Sequence, residues 1–576
     1  MRPRLAAIHN VVHLLFRRLR MPLIVVICTY AVSIVGLTLI PGIDDQGNPW
    51  RMSMFHAFYF VSFMGSTIGF GEIPYPFTDA QRLWTTAAMY ATVTAWLYAI
   101  GSLLALVQDP AFRRVVKAAA FARAVHRINQ RYYIVCGYGD TGSLLVGVLA
   151  ANGIRSVVVD IDQSRIDALE IAGLPLEIPG LCADAADPAS LIESGLRGKH
   201  CAGVIALTND DQVNLTVAVT SKLIAAHVTV ICRAEFEDTE ANMASFGTDH
   251  IINPFVTFAD SLAMAVHSPS MYLLNDWMTS TRKLPMEELV SPPRGTWVVC
   301  GYGRFGKAVC NRLPSEGINT VVIEANTEGT HAPPSAVRGR GTEAVTLKEG
   351  RIEEAVAVIA GTDNGTNNLS IVITARDMNP ELFAVARQTE RREDPMFAAA
   401  RLDMVMQPWV IVASRVWSLI RNPILAEFLR LARDQDNAWA NVVISRITAV
   451  LEEEPPDTWM LSITPNDTPA LYAALDAAMD RGEQISLSDL LRDPRNRDAT
   501  LACVPLLLMR SHEQALMPEG SAAIHKGDRL LFAGAAHVAD TMRWTTQNAN
   551  TLEYVLTGSE RPSGFVWRLF AREQGE

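Results

Sequence analysis

A seven-residue stretch between two apolar segments carries the residues best suited to binding an ion. The apolar segments cover residues 23–40 and 83–107, and the stretch between them reads Ser66-Thr67-Ile68-Gly69-Phe70-Gly71-Glu72. Its glycines allow backbone angles that other residues resist, so successive carbonyl oxygens can point to one side. Carbonyl oxygens arranged in this way can replace the hydration shell of a cation. The stretch therefore predicts a cation-coordinating loop.

The sequence around this loop resembles the selectivity filter of potassium channels. The matching filter is Thr67-Ile68-Gly69-Phe70-Gly71, with a pore-helix-like segment at residues 56–64 and a post-filter turn at Ile73-Pro74-Tyr75-Pro76. The resemblance implies potassium ions held at Thr67, Ile68, Gly69 and Phe70. Glu72 stands where the family usually has Asp, which leaves a weakly selective cation channel as an alternative.

The two apolar segments predict a membrane-spanning pore domain over residues 22–108. They contain 18 and 25 residues, close to the ~20 that a spanning helix needs. A glycine-interrupted loop at membrane depth is tolerated only where it is buried in protein or lines a water-filled path, because lipid offers its backbone groups no partners. Because two spans supply a quarter of a pore, we expect a homotetramer in the bilayer. Gly101 is interpreted either as a packing glycine or as a gating hinge.

Charge around the spans predicts their orientation. Five arginines precede the first span in the basic N-terminus, residues 1–21, and six basic residues follow the second, whereas the loop between them carries Asp44 and Asp45. The positive-inside rule then places both termini in the cytoplasm of a prokaryotic cell, with a multi-pass protein in the inner (plasma) membrane. Asp109-Pro110 predicts the start of a helical linker over residues 109–131.

Composition excludes one class of partner. The 576 residues carry a net charge of −11, whereas nucleic-acid binding requires a basic surface, so no nucleic-acid partner is expected. The eight cysteines are scattered singly, which predicts free thiols rather than disulfides or a zinc site.

Beyond residue 131 a glycine motif occurs twice, each time between an apolar run and a helical pattern. Each motif is followed, 23 residues after its first glycine, by an acidic residue that ends a second apolar run. The two copies are Gly137-Tyr138-Gly139-Asp140-Thr141-Gly142 with Asp160, and Gly301-Tyr302-Gly303-Arg304-Phe305-Gly306 with Glu324. This order of strand, glycine motif, helix, strand and acid is that of a Rossmann fold. Thr208, Asn214 and Arg233 recur 154 residues later as Thr362, Asn368 and Arg387.

The repeat predicts two nucleotide sites. The glycines let a pyrophosphate approach a helix N-terminus, and the acids can accept hydrogen bonds from ribose hydroxyls, which favours NAD or ADP over a 2′-phosphorylated nucleotide. A Rossmann fold can also persist without its ligand. The candidate residues of the first site are Gly137, Tyr138, Gly139, Asp140, Thr141, Gly142, Asp160, Asp184, Thr208 and Arg233. Those of the second are Gly301, Gly303, Arg304, Phe305, Gly306, Glu324 and Arg387.

The tandem arrangement resembles RCK (regulator of potassium conductance) domains, which are similar to the nucleotide-binding domains of Trk and Ktr regulators. The resemblance implies RCK1 over residues 132–293 and RCK2 over residues 294–576. RCK2 would comprise a Rossmann-like part, 294–410, then a helical connector and a TrkA-C-like lobe, 411–576. Helices are predicted at 259–277 and 410–434, and strands of the lobe at 441–451 and 458–464. The expected fold is an all-α two-helix membrane pore domain, followed by tandem α/β Rossmann-like RCK domains and a C-terminal α+β lobe.

Together the two resemblances imply a potassium channel, not an enzyme, that is gated by nucleotide binding to a cytoplasmic RCK ring. The run Glu452-Glu453-Glu454 raises calcium as a further ligand, with no divalent-ion site assigned. A membrane-anchored NAD-dependent oxidoreductase is the main alternative, although an enzyme does not need the loop between the spans. A regulatory subunit of a separate transporter is the other, although such regulators usually lack a pore segment.

Overall fold

The computed structural model describes residues 2–69, 71–281, 289–451, 456–511 and 513–559. The chain forms two compact units, Met1–Ile128 and Asn129–Glu576. The first unit is helical apart from one short hairpin. Its elements are α1 (Arg2–Leu39), β1 (Gly42–Ile43), β2 (Pro49–Trp50), α2 (Met54–Gly65), α3 (Asp79–Gln108) and α4 (Pro110–Arg127).

Two helices of the first unit are long and apolar enough to cross a membrane. They are the Leu19–Leu39 part of α1 and the whole of α3, which together contain the two predicted segments except for residue 40. α1 continues without a break through Pro22 towards Arg2, so residues 2–21 extend the first spanning helix instead of forming a separate N-terminal segment. Apolar side chains such as Leu97, 66% exposed in the single chain, are available to lipid or to neighbouring copies.

The first half of the second unit contains a six-stranded parallel sheet. Its strand order is β5-β4-β3-β6-β7-β8, which is the doubly wound order of a Rossmann fold and confirms the prediction. The four central strands of this sheet are largely buried because helices cover both of its faces. The elements are β3 (Tyr132–Cys136), α5 (Asp140–Ala151), β4 (Arg155–Asp160), α6 (Gln163–Ile171), β5 (Gly180–Cys182), α7 (Pro188–Glu193), β6 (Cys201–Ala206), α8 (Asp211–Ile224), β7 (Thr229–Arg233), α9 (Glu237–Ser245) and β8 (His250–Ile252).

A second sheet of the same topology follows two connecting helices. Its order is β11-β10-β9-β12-β13-β14, again fully parallel. The elements are α10 (Pro254–His267), α11 (Pro269–Thr279), β9 (Thr296–Cys300), α12 (Arg304–Arg312), β10 (Asn319–Glu324), α13 (Thr327–Thr330), β11 (Val337–Arg338), α14 (Ala344–Glu349), β12 (Ala357–Ala360), α15 (Gly365–Met378), β13 (Phe383–Arg387), α16 (Asp394–Ala399) and β14 (Met404–Met406).

The two Rossmann folds exchange helices. After the second sheet come α17 (Pro408–Arg421) and α18 (Pro423–Ala432). α17 follows the second sheet but packs against the first, with Val416 and Trp417 in the core of β3 and α5. α10 follows the first sheet but packs against the second, with Phe258 and Leu262 beside the strands of that fold. Packing therefore crosses the boundary predicted at residue 293.

Each of the two helical runs predicted after the sheets consists of two helices. The first run breaks at Ser268 and the second at Asn422, and a proline follows each break as the first helical residue. Proline lacks a backbone N–H and disfavours helical angles in the preceding residue, which explains both breaks.

The C-terminal lobe is an α+β structure, as predicted. A four-stranded antiparallel sheet of order β15-β20-β18-β19 packs beneath its helices. The elements are α19 (Asn437–Leu451), β15 (Asp457–Ser462), α20 (Pro469–Arg481), α21 (Leu487–Leu490), β16 (Arg492–Asp493), β17 (Asn496–Thr500), β18 (Cys503–Arg510), β19 (Glu513–Leu516), β20 (Arg529–Gly534), α22 (Ala536–Gln547) and α23 (Ala549–Thr557). The strand predicted over residues 441–451 is wrong, because this segment lies in α19.

Candidate functional site

Backbone hydrogen bonds hold the start of the predicted filter loop against the C-terminal end of α2. The amide of Thr67 donates to the carbonyl oxygen of Met64 (3.1 Å), and that of Ile68 donates to Phe63 (3.0 Å). Thr67, Gly69 and Gly71, at alternate positions, have left-handed φ angles of 60°, 68° and 96°. Phe70 lies outside the described residues. Residues 66–69 are exposed in the single chain, so other copies can complete a ring of carbonyl oxygens around an ion.

The base of the loop is fixed where α1, α2 and α3 meet. The hydroxyl of Tyr30 on α1 accepts a hydrogen bond from Trp96 Nε1 on α3 (2.9 Å). The same hydroxyl lies against Gly65, the last residue of α2, and a Cβ there would lie 2.4 Å from it. Glycine at this position therefore allows α2 to approach α1 and α3 closely enough to support the loop.

Glu72 is held by the segment that follows the loop. Its carboxylate accepts from Arg82 Nε (2.8 Å) and from the backbone amide of Phe77 (2.8 Å). The Glu72 side chain, one methylene longer than Asp, thus forms an ion pair with Arg82 in the first turn of α3.

Gly101, further along α3, has no atom of the described chain within 4 Å of an added Cβ. Its role as a hinge stays a prediction.

The first glycine loop has the tight geometry of a phosphate-binding turn. Gly137 has a φ of 99°, and Gly142 contacts it so closely that an added Cβ would lie 2.0 Å from the Gly137 carbonyl oxygen. Above Gly139 there is room, since an added Cβ would meet only the guanidinium of Arg165, at 3.7 Å. The loop therefore leads closely into α5 and leaves the N-terminus of that helix open to a ligand.

The acidic residues at the ends of β4 and β10 hold the glycine loops. Asp160, 4% exposed, accepts from the amides of Tyr138 (2.5 Å) and Asp162 (2.8 Å). Glu324 accepts from the amides of Tyr302 (2.6 Å) and Asn326 (2.7 Å). Each carboxylate thus orders its loop through the backbone, and contact with a ribose stays a prediction.

The repeated threonine, asparagine and arginine form the same network in both folds. Asn214, fully buried, donates to the carbonyl oxygens of Thr208 (2.9 Å) and Arg233 (3.0 Å) and accepts from the Thr208 amide (3.0 Å). Asn368 makes the equivalent bonds to Thr362 and Arg387. These bonds tie together the ends of neighbouring strands and place each arginine at the carboxyl edge of its sheet, which is where ligands generally bind in Rossmann folds.

Arginines from both folds meet in one open cleft of about 780 Å³, here called the first cleft. Its wall contains the first glycine loop, and the opposite side comes from the second fold. The basic side chains that line it are Arg165, Arg233, Arg304 and Arg387. Arg233 and Arg387 are each 9% exposed, and their buried Nε groups have no hydrogen-bond partner among the described residues.

Glu235 joins the two folds across this cleft. Its carboxylate accepts from Arg233 of the first fold and from Arg304 of the second. The Arg304 guanidinium also lies over the rings of Phe236 and Phe255, at 5.1 and 5.4 Å from their centroids. Arg304, predicted beside the second phosphate site, thus faces the first cleft. Sequence spacing gave no signal for Glu235, since its contacts depend on how the folds pack.

Some candidate residues lie elsewhere. Asp184 is exposed, accepts from the Ala186 amide (2.8 Å) and is not among the residues that line the first cleft. The acidic run proposed for calcium, 452–454, lies outside the described residues. Within the described part of the chain, no group of three or more His, Cys, Asp or Glu side chains could hold a metal ion.

Comparisons with known proteins match both parts of the chain. A family model described as an ion channel matches residues 23–109, and one described as the TrkA-N domain matches residues 133–254 and 297–408. Potassium channel protein 1 of Methanocaldococcus jannaschii is 22% identical over 258 residues, which cover 44% of this chain and 72% of the relative. The chain thus combines an ion-channel region with two TrkA-N regions, and it is similar to prokaryotic potassium channels.

Other relatives of the channel match over different lengths. The voltage-gated potassium channel Kch of Escherichia coli is 24% identical over 241 residues, which cover 41% of this chain and 55% of that protein. Among solved structures, the GsuK channel bound to NAD has a TM-score of 0.47 at 13% identity, over 93% of this chain and 99% of that one. The ion-channel match over residues 23–109 favours a channel over the oxidoreductase and over a regulatory subunit that lacks a pore segment.

Proposed function

We propose that the protein is a homotetrameric, nucleotide-gated potassium channel of the prokaryotic inner membrane, with both termini in the cytoplasm. Four filter loops, each Thr67-Ile68-Gly69-Phe70-Gly71, would surround the conduction path. The exposure of residues 67–69 in the single chain supports this arrangement, because a ring of four loops is needed to enclose an ion.

The first cleft is the proposed regulatory site, and its shape and charge fit NAD or ADP. A volume of about 780 Å³ lies within the usual range of ~300–1,000 Å³ for cofactor sites. The N-terminus of α5 offers backbone N–H groups to a pyrophosphate, and the guanidinium groups of Arg233, Arg304 and Arg387 supply positive charge in the same cleft. This pairing of an open glycine loop with buried guanidinium groups carries the proposal.

Gating follows if the nucleotide prefers one arrangement of the two folds. A ligand shifts a conformational equilibrium only by its difference in affinity for the two states. A pyrophosphate beside Gly139 would also contact Arg304 and Arg387 of the second fold, so its affinity depends on how the folds are placed. The linker that begins with α4 continues directly from α3, which provides a covalent route from the second unit to the second spanning helix.

Potassium flux from proteoliposomes tests this function. We expect flux that changes on adding NAD or ADP, and a response that is lost in Gly139→Asp, since the new carboxylate repels the pyrophosphate. The substitution fits sterically, because an added Cβ has only ordinary contact with Arg165. Gly303→Asp is the matched control in the second glycine loop, where an added Cβ meets nothing within 4 Å, and it should keep the response.

The outcomes separate the pore from its regulation. Potassium flux that does not change with nucleotide in the unmodified protein would support the channel function but contradict the first cleft as the nucleotide sensor. A response lost only in Gly303→Asp would move the sensor to the second fold. Potassium flux that is not selective over sodium would favour the weakly selective channel raised by Glu72.

A further inference from the structure

A small cavity of about 30 Å³ lies where the second fold passes into the C-terminal lobe. It is formed at the break between α17 and α18, here called the second elbow, together with α11 and the start of β15. Its wall includes Trp277 on α11, Ser418 and Arg421 on α17, Asn422 at the elbow and Asp457 on β15. None of them belongs to the pore loop or the first cleft.

Four buried polar atoms on the cavity wall have no hydrogen-bond partner in the described chain. They are Trp277 Nε1, Ser418 Oγ, and both Nδ2 and Oδ1 of Asn422. Trp277 is 9% exposed, Ser418 is 3% exposed and Asn422 is 1% exposed, so bulk water does not reach these groups freely. A buried polar group without a partner is costly, and buried polar groups in native proteins are almost always satisfied.

The equivalent position in the first half of the repeat is satisfied by protein. Ser268 lies 154 residues before Asn422, at the break between α10 and α11, with nearly the same backbone angles. The Ser268 Oγ donates to Asn437 Oδ1 (2.9 Å), and this Asn437 oxygen also accepts from the Ser270 amide (3.0 Å). Asn422 has no such neighbour among the described residues, which indicates a non-protein partner.

The mixture of donors and acceptors identifies that partner. A cation could use Asn422 Oδ1 but would leave the Trp277 N–H and the Asn422 amide hydrogens unpaired. An anion could use those donors but would leave Asn422 Oδ1 unpaired. Arg421 and Asp457 on the wall already pair with one another (2.7 Å), so these two add no net charge. Exchanging the oxygen and nitrogen of Asn422 changes nothing, since neither atom has a partner.

We propose that the second elbow binds one or two ordered water molecules as a fixed part of the fold. Water both donates and accepts, and a buried water makes about three hydrogen bonds. A volume of about 30 Å³ exceeds the ~10–15 Å³ that one water needs and admits no ligand of cofactor size. The water would bridge α11 to α17 and the second elbow, where the unpartnered atoms lie.

A density map of the full-length channel at about 2 Å resolution tests the site directly. We expect one or two peaks within about 3.2 Å of the Asn422 amide and Trp277 Nε1, unchanged when bromide replaces chloride. A bromide signal would instead identify an anion site. A cavity without density, or one filled by a side chain from residues 282–288 or 452–455, would overturn the proposal.

Substitution supplies an independent readout that does not depend on resolution. In a hydrated cavity, Ser418→Ala loses a hydrogen bond, whereas in a dry one it removes an unpartnered hydroxyl and stabilises the protein. Ser445→Ala on the exposed face of α19 is the control for helix propensity. We expect Ser418→Ala to melt about 1–2 °C below Ser445→Ala. A higher melting temperature would contradict a bound water, and Trp277→Phe repeats the comparison at the indole donor.

Discussion

At the scale of residues, the carboxylates at the end of the second strand of each fold lie where the sequence predicted them. Their hydrogen-bond partners are backbone amides, which the sequence did not predict. The 23-residue spacing identified Asp160 and Glu324 as the acids at the end of that strand. In the structure their oxygens accept from the amides of Tyr138 and Tyr302 inside the glycine loops. Spacing fixes where a strand ends, but the backbone group that a carboxylate meets depends on the register of β4 with β3, which spacing does not contain.

The third glycine of each motif is required by a close contact. A Cβ on Gly306 would lie 2.0 Å from the Gly301 carbonyl oxygen, whereas a Cβ on Gly303 would meet nothing within 4 Å. We expect Gly306→Ala to destabilise the second fold by about 1–3 kcal/mol, because the helix must shift away from the strand. Gly303→Ala should change stability little. Thermal unfolding of both variants makes the comparison, and equal melting temperatures would contradict it.

Cysteine reactivity should follow burial. Burial raises the pKa of the Cys232 and Cys300 thiols to about 12, so at pH 8 only about one molecule in ten thousand carries either thiolate. Cys182 is exposed at the end of β5. N-ethylmaleimide should therefore label Cys182 in the folded second unit and reach the other two thiols only after denaturation. Peptide mass spectrometry distinguishes the sites, and rapid labelling of Cys232 in the native protein would contradict the structure.

At the scale of elements, the sequence predicted the regular parts and missed one helix. The parallel sheets follow from buried strands placed before glycine motifs. Residues 441–451 favour a strand by composition, since they are rich in β-branched side chains. The buried residues of α19 instead recur with helical spacing, at Ala440, Val443, Ile444, Ile447 and Leu451. Periodicity over the longer segment was the signal that composition obscured.

The helix exchange could not be predicted, because both helices are equally apolar whichever fold they cover. The helix exchange predicts that a substitution in α10 lowers the stability of the second fold, which follows α10 in the sequence. Phe258→Ala should destabilise the second fold by about 3–4 kcal/mol, since Phe258 packs on Phe305 with ring centroids 5.6 Å apart. Val256→Ala, 42% exposed on the same helix, should cost far less.

Hydrogen exchange provides the measurement for this pair of variants. Faster exchange in Phe258→Ala should appear in β9 and β12 of the second sheet, while β3 and β6 of the first sheet keep their protection. Loss of protection confined to the first sheet would show that α10 stabilises the fold that precedes it.

At the scale of the whole molecule, the apolar surface of the first unit requires other copies or lipid. Side chains of α2 and α3 such as Phe55, 75% exposed, and Leu83, 75% exposed, find no cover within the described chain. We expect native mass spectrometry of the detergent-solubilised channel to give four times 63.1 kDa, about 252 kDa. A dimeric mass that persists in several detergents would contradict a filter built from four loops.

The exchange of α10 and α17 also has a consequence for how the polypeptide can be divided. Each Rossmann fold is completed by a helix encoded on the far side of the junction at residues 282–288, so neither half alone contains its full core. A gene cut there should yield two fragments, 1–281 and 289–576, that are poorly soluble when expressed apart. When the fragments are produced together, each should supply the helix that the other lacks, and the two should copurify as a split protein.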